Sequence, residues 1–186
     1  MFRNSRIREV SFVIVLLISW SPKTVMIQCR MTSRRQEGQY QLDPNYIVGF
    51  VDGEGCFSVT CSKREDIRAG YEIKAAFEME VVIDDHAIMT RIYEALGKPG
   101  QLYSFSFKRY PSWRPHCKIK VSNLKDITEK IIPFFKKHPL QSKKRKSFET
   151  FCRIVEMIRQ KKHLNPKYAA KIVTLRNTMN PTGKGN

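Results

Sequence analysis

From residue 43 onward, apolar positions switch between strand-like alternation and helix-like spacing, and the switches mark out the elements. Asp43-Pro44 offers a carboxylate N-cap followed by proline at the first helical position. It predicts a helix from Asn45 to about Val51, ending at Gly53–Gly55. Cys56-Phe57-Ser58-Val59-Thr60-Cys61 alternates and reads as a strand, and after the polar stretch 62–70 the run Tyr71 to Met79 alternates again. Asp84-Asp85 is placed to cap a helix that carries Ile88, Ile92, Ala95 and Leu96 and closes at Gly97. Leu102 to Lys108 and His116 to Val121 predict two more strands, joined by the basic, aromatic run Arg109-Tyr110-Pro111-Ser112-Trp113-Arg114. Leu124 to Lys137 reads as a helix with Ile127, Ile131, Phe134 and Phe135 inward, shortened or kinked by Pro133. A long helix from Ser142 to Gln160 shows Phe148, Phe151, Cys152, Val155 and Ile158 on one stripe, and Ala169 to Met179 predicts a last, shorter helix.

The order helix-strand-strand-helix-strand-strand-helix-helix predicts an α+β fold, a four-stranded antiparallel sheet with its helices on one face. The uncovered face would show Ser58, Thr60, Glu72, Lys74, Ser104, Ser106, Lys108, Lys118 and Lys120. Residues 1–40 are set apart as a leader, 41–180 as the domain and 181–186 as a tail. Within the leader, Val10 to Trp20 is an apolar run preceded by Arg3, Arg6 and Arg8. That pattern resembles a secretory signal but lacks a clean cleavage site, and the run is short for a bilayer span. Translated upstream sequence, with Met26 or Met31 near the natural start, is the other reading.

Charge narrows the function. Of 186 residues, 34 are Lys or Arg and 17 Asp or Glu, a formal net charge of +17. A folded domain that basic repels itself, and a polyanion is the partner that relieves it: nucleic acid first, an anionic membrane surface second. The cysteines, Cys29, Cys56, Cys61, Cys117 and Cys152, form no Cys-x-x-Cys pair. Neither do they combine with His86, His116, His138 and His163 at zinc-ligand spacing. They read as free thiols in a reducing compartment.

The run Ile47-Val48-Gly49-Phe50-Val51-Asp52-Gly53-Glu54-Gly55 resembles the signature of the LAGLIDADG homing endonucleases, in its single-motif, homodimeric branch. The resemblance extends from about Tyr46 to Met179. It includes Glu54-Gly55-Cys56-Phe57-Ser58-Val59, Leu96-Gly97, the stretch from Ile131 to Lys144, Phe148, Phe151 and Lys161-Lys162-His163-Leu164-Asn165-Pro166. It implies an intron-encoded enzyme that cuts both strands of a long, pseudo-palindromic double-stranded DNA site. An intron RNA maturase on the same fold is the alternative. An organelle (chloroplast or mitochondrion) is the expected location, with bacterial cytoplasm as the alternative, and no membrane partner is expected.

The residues fit that reading. Gly49 and Gly53 lie on one helix face and let two such helices approach closely, so Ile47, Gly49, Phe50 and Gly53 are the expected homodimer interface. Two-fold symmetry would then bring a Glu54 from each chain to one small region, where paired carboxylates invite a divalent cation, Mg²⁺ by its preference for hard oxygen ligands. By the resemblance, Glu54 and the carbonyl of Gly53 are the metal ligands, Asp52 braces the turn, and Lys143 is the active-site lysine with Lys144 next in line. One position departs from the family. Relatives carry Gln in a Phe-x-Val-x-Gln run, whereas Phe77-Glu78-Met79-Glu80-Val81 ends in valine, leaving Glu78 or Glu80 to order solvent. For DNA contact the candidates are Lys63, Arg64, Lys74, Lys108, Arg109, Arg114, Lys118, Lys120 and Lys144, with Trp113 following the backbone.

Overall fold

The computed structural model describes residues 42–179 apart from Pro111. The expected leader, the whole of the expected tail and the apolar run at 10–20 lie outside the described residues. Asp43 caps the first helix as its sequence suggests, its Oδ1 accepting from the Asn45 N–H at 2.7 Å. Helix α1 runs Pro44–Glu54, carrying the whole motif down to its last acid. Strands β1 (Gly55–Lys63) and β2 (Tyr71–Val82) form a hairpin. After a 3₁₀ turn and α2 (His86–Ala95), β3 (Gln101–Phe105) and β4 (His116–Val121) form a second. The strand order is β1-β2-β4-β3, antiparallel throughout. This is the expected α+β sheet.

Alternation along the strands sends Phe57, Val59, Ala75, Phe77, Met79, Cys117, Ile119 and Val121 to the helix-covered face, where all are buried. Phe57 is the hub. Its ring lies 5.1 Å from Phe77, 5.6 Å from Phe135, 5.0 Å from Phe148 and 5.5 Å from Phe151. Sheet and helices α4 (Ile132–Lys137) and α5 (Lys144–Arg159) are thereby held as one core. Ile154, absent from the predicted stripe, is fully buried, while Cys152 and Ile158 are half-buried. Helix α6 begins earlier than expected, at Pro166, and ends at Met179.

Three expectations need correction. Strand β3 stops at Phe105, and its register sets Leu102 opposite Ile119, Ser104 opposite Cys117 and Phe105 opposite His116. Ser104 therefore shares the parity of the core, Tyr103 and Phe105 occupy the outer face, and Ser106 and Lys108 lie beyond the strand. The single helix over 124–137 is instead α3 (Leu124–Asp126), a π-helical turn (Ile127–Ile131) and α4. Pro133 has no N–H for the carbonyl four residues back and its ring would strike it. The wider turn, with Ile132 N–H donating to the Ile127 carbonyl, absorbs the mismatch. Finally, Asp85 makes no side-chain cap on α2, and Asp84 pairs with Arg114 instead. Among the described residues no helix is long and apolar enough to cross a membrane.

Candidate active site and nucleic-acid interface

Everything in the site hangs on the lower end of α1. Ile47, Val48 and Val51 anchor the helix in the core. Ile47, expected at a dimer contact, is only 1% exposed and faces inward. The outward stripe is Tyr46, Gly49, Phe50 and Gly53, at the spacing of one helix face. Tyr46, which the motif does not include, is 49% exposed and its ring lies 6.2 Å from that of Phe50. Helical periodicity back from Gly49 was the signal that could have found it.

The glycines of this region differ in kind. A Cβ on Gly49 or Gly53 would meet nothing within 4 Å. A Cβ on Gly55 would fall 2.5 Å from Val51 Cγ1 and 2.8 Å from the Val51 carbonyl. The chain itself therefore explains Gly55, at the sharp passage from α1 to β1, and leaves Gly49 and Gly53 without an internal reason.

Asp52 points away from the stripe into the loop ahead of α5. Its Oδ2 accepts from the N–H groups of Gln141 and Ser142 at 2.8 and 3.2 Å, and its Oδ1 from the Ser142 hydroxyl at 2.7 Å. That is the bracing role the motif suggested. The brace sets the start of α5, and with it Lys144. The Lys144 ammonium donates to the carbonyls of Gly53 and Val51 at 2.8 and 3.0 Å, the latter shared with the Gly55 N–H. Burial lowers its pKa, against the opposing pull of Asp52, Cys56 and Glu54. Lys143, one residue earlier, is exposed. Glu54 is exposed at the helix end beside this ammonium. Val81 lies on the core side opposite Cys117, 9% exposed, and Glu78 looks outward opposite Cys56. The Cys56 thiol is pushed up by loss of solvent and by Glu78, and drawn down by Lys144 and Lys118, so these groups share one electrostatic neighbourhood.

This corner offers the Glu54 carboxylate as a hard oxygen donor, and the Gly53 carbonyl through the lone pair that Lys144 leaves. No group of three acidic, histidine or cysteine side chains able to hold a metal occurs among the described residues. Those donors fit hard oxygen chemistry.

The basic candidates divide between the outer face of the sheet and its connecting loops. Lys63 ends β1, and Arg64 in the hairpin grips Asp66 through two bonds, at 2.8 and 2.6 Å. Lys74 pairs with Glu72 at 2.9 Å. Lys118 and Lys120 are held by Glu78 and Glu80, and Arg114 by Asp84. Lys108 sits exposed in the turn after β3, and Arg109 lies 5.7 Å over the Tyr110 ring, which stacks on Trp113 at 4.6 Å. Lys74, Lys118 and Lys120 thus share the outer face and are already paired to carboxylates, whereas Lys63 has the core-side parity of Phe57 and Val59, and Arg64, Lys108, Arg109 and Arg114 lie in the connecting loops.

Comparison with known proteins gives this geometry a lineage. The chain is 30% identical over 130 residues to an uncharacterized 50.9 kDa protein in ND4 intron 1 of Podospora anserina, covering 66% of this chain and 26% of that one. It is 29% identical over 123 residues to probable intron-encoded endonuclease 3 of Neurospora crassa, covering 66% and 22%. It thus spans about a quarter of the length of these curated relatives. Among solved structures, the homing endonuclease I-TnaI aligns with a TM-score of 0.66 at 29% identity, covering 77% of this chain and 91% of that one. The meganuclease I-SmaMI, bound to uncleaveable DNA, aligns at 0.65 and 28%, covering 77% and 46%. A family model described as LAGLIDADG endonuclease matches residues 47–155, more than half of the 186 residues, and the chain belongs to that family.

Proposed function

We propose that this chain is a site-specific endonuclease that cleaves both strands of a long, pseudo-palindromic DNA duplex as a homodimer, within an intron-bearing organelle. The observation that carries the reading is the end of α1: an outward stripe with two unexplained glycines, terminating in an exposed Glu54 beside a positioned ammonium. A second copy of the same helix fills the open space at Gly49 and Gly53 and brings the two Glu54 carboxylates together. The half-length match to I-SmaMI, seen on DNA, supports a two-copy site. The intron-encoded relatives support the setting.

Glu54 and the Gly53 carbonyl of both chains would hold the divalent ion, Mg²⁺. Bound there, the ion would supply charge neutralisation for the displacement at phosphorus. The protein does the rest. The sheet fixes the duplex so that one phosphodiester of each strand meets the paired helix ends. Water attacks phosphorus as the bond to the leaving sugar oxygen breaks. Lys144 takes the active-site lysine role in preference to Lys143, because its ammonium is already fixed at the end of α1, where charge develops in the transition state. Lys74, Lys118 and Lys120 on the outer face, with Lys63, Arg64, Lys108, Arg109 and Arg114 at the strand ends and loops, contribute to DNA contact.

The test is incubation with the intron-less sequence flanking the gene's own insertion point and Mg²⁺. Wild type is expected to cut both strands, and Glu54→Gln to bind equally well without cutting. Normal cutting by that variant overturns the assignment. Absence of cutting by wild type, with tight binding to the host intron RNA, would move the reading to an RNA maturase.

A further inference from the structure

The outer face of β2 and β4 carries a ladder of alternating charge where a basic face would be expected. Glu78 stands opposite Lys120, Glu80 opposite Lys118 and Val82 opposite His116. Glu80 accepts from His116 Nδ1 at 2.9 Å and from Lys118 Nζ at 2.8 Å, each on its own oxygen. Glu78 likewise accepts from Lys120 at 3.2 Å and Lys118 at 3.4 Å. Burial works against these charges, yet the partners outweigh it: Glu80 is held below its ordinary pKa and Lys118 above.

A carboxylate in a face meant for DNA is costly unless it meets a donor. Phosphates repel it, and a base acceptor set against it faces the lone pairs that its own partners leave open. The ladder leaves bonding capacity to spare. Each carboxylate oxygen has an acceptor direction left, and Lys118 spends two of its three N–H bonds on Glu78 and Glu80. The face can therefore present acceptors and donors side by side without breaking its own pairs. In the major groove a G·C pair shows the complementary pattern, the N4 amino donor of cytosine beside the O6 and N7 acceptors of guanine. The ladder also has a definite place along the site. Gly55, at the foot of α1, pairs with Met79, so Glu78 and Glu80 flank the strand end nearest Glu54.

We propose that Glu78 and Glu80 set base specificity at the inner end of each half-site, accepting the amino group of cytosine while Lys118 and Lys120 donate to guanine. This deepens the DNA-endonuclease reading and rests on it.

The experiment selects bound duplexes from a pool randomised across the site, using wild type, Glu78→Gln and Glu80→Gln, with a thermal melt of each protein. Wild type is expected to enrich C·G pairs at the inner positions by about tenfold. Glutamine matches adenine N6 and N7, so each variant is expected to move its position from cytosine toward adenine. It should also bind non-specific duplex severalfold more tightly, with a repelling charge gone. An unchanged consensus in both folded variants overturns the proposal. Should the variants unfold, the wild-type consensus decides alone, and one without cytosine at the inner positions overturns it. Wild type that enriches no duplex overturns the DNA reading itself, a failure distinct from a consensus that ignores the glutamates.

Discussion

Ser142 gives both its hydroxyl and its backbone N–H to the carboxylate of Asp52, at 2.7 and 3.2 Å. The same hydroxyl oxygen accepts the Lys144 N–H at 3.1 Å, so the motif's first acid fixes the residue that caps its own helix end. Asp52→Ala would leave these donors without their acceptor in a half-buried place. We expect a loss of about 2 kcal/mol in urea unfolding. Cleavage should fall more than tenfold while DNA affinity changes only a few-fold, because Glu54 and the sheet stay in place. Cleavage kinetics set beside binding isotherms separate the two effects. Parallel loss of both would mean that Asp52 supports the fold alone.

Lys144 provides a pH test. Burial depresses its pKa below the ordinary 10.5. A depressed ammonium loses its charge at lower pH than a solvated lysine does. Cleavage is therefore expected to decline on the alkaline side as pH rises through that lowered value. Lys144→Arg keeps its charge across the range and should remove the decline, whatever its absolute rate. Lys144→Met should abolish cutting and leave binding. Lys143→Met is expected to cost little beyond a phosphate contact. If Lys143→Met abolishes cleavage and Lys144→Met does not, the two roles are reversed.

How much of this was legible in the sequence depends on range. Local signals worked: Asp43-Pro44 announced α1, alternation announced all four strands, and the motif pointed to Asp52 as the brace. The errors come where a partner element decides. Ser104 and Phe105 exchange faces because pairing with β4, not alternation within β3, sets the register. Pro133 signalled a break in the helix, but only the packed structure resolves it as a π-helical turn. Ile47 belongs to the motif yet faces the core, since the motif records sequence likeness and not orientation. Which of Lys143 and Lys144 reaches the end of α1 depends on where α5 begins, which Asp52 braces from 90 residues away.

The two kinds of glycine should behave oppositely. Alanine at Gly49 or Gly53 finds open space within the chain and improves helix propensity, so the isolated domain should hold or gain up to about 1 kcal/mol. The same methyl group would separate two apposed helices. Sedimentation equilibrium is expected to show dimer affinity weakened at least tenfold, and Gly49→Leu should give a monomer. Gly55→Ala forces its methyl group into Val51 and should cost about 2–3 kcal/mol whatever the assembly state. A Gly49→Leu protein that still dimerises with unchanged affinity would remove α1 from the interface.

Asp126 makes acid sensitivity predictable. Its carboxylate accepts from Lys130 at 2.7 Å, from Asn123 Nδ2 at 2.7 Å and from the Gly100 N–H at 2.9 Å, tying the turn before β3 to the start of α3. Only glycine fits at 100: its φ is +62°, and a Cβ there would strike the Lys120 carbonyl. The Lys130 bond, then Asn123, then the Gly100 N–H hold the Asp126 pKa down from 3.8 to about 2. A depressed carboxylate stabilises the fold fully above its unfolded pKa and loses that contribution as pH falls through its folded one. Asp126→Asn should therefore cost about 1 kcal/mol at neutral pH. The gap between variant and wild type should close as pH falls from 3.8 toward 2. Urea unfolding across that range measures it, and a gap that stays constant down to the lowest pH would show that the hydrogen-bond geometry, and not the charge, does the stabilising.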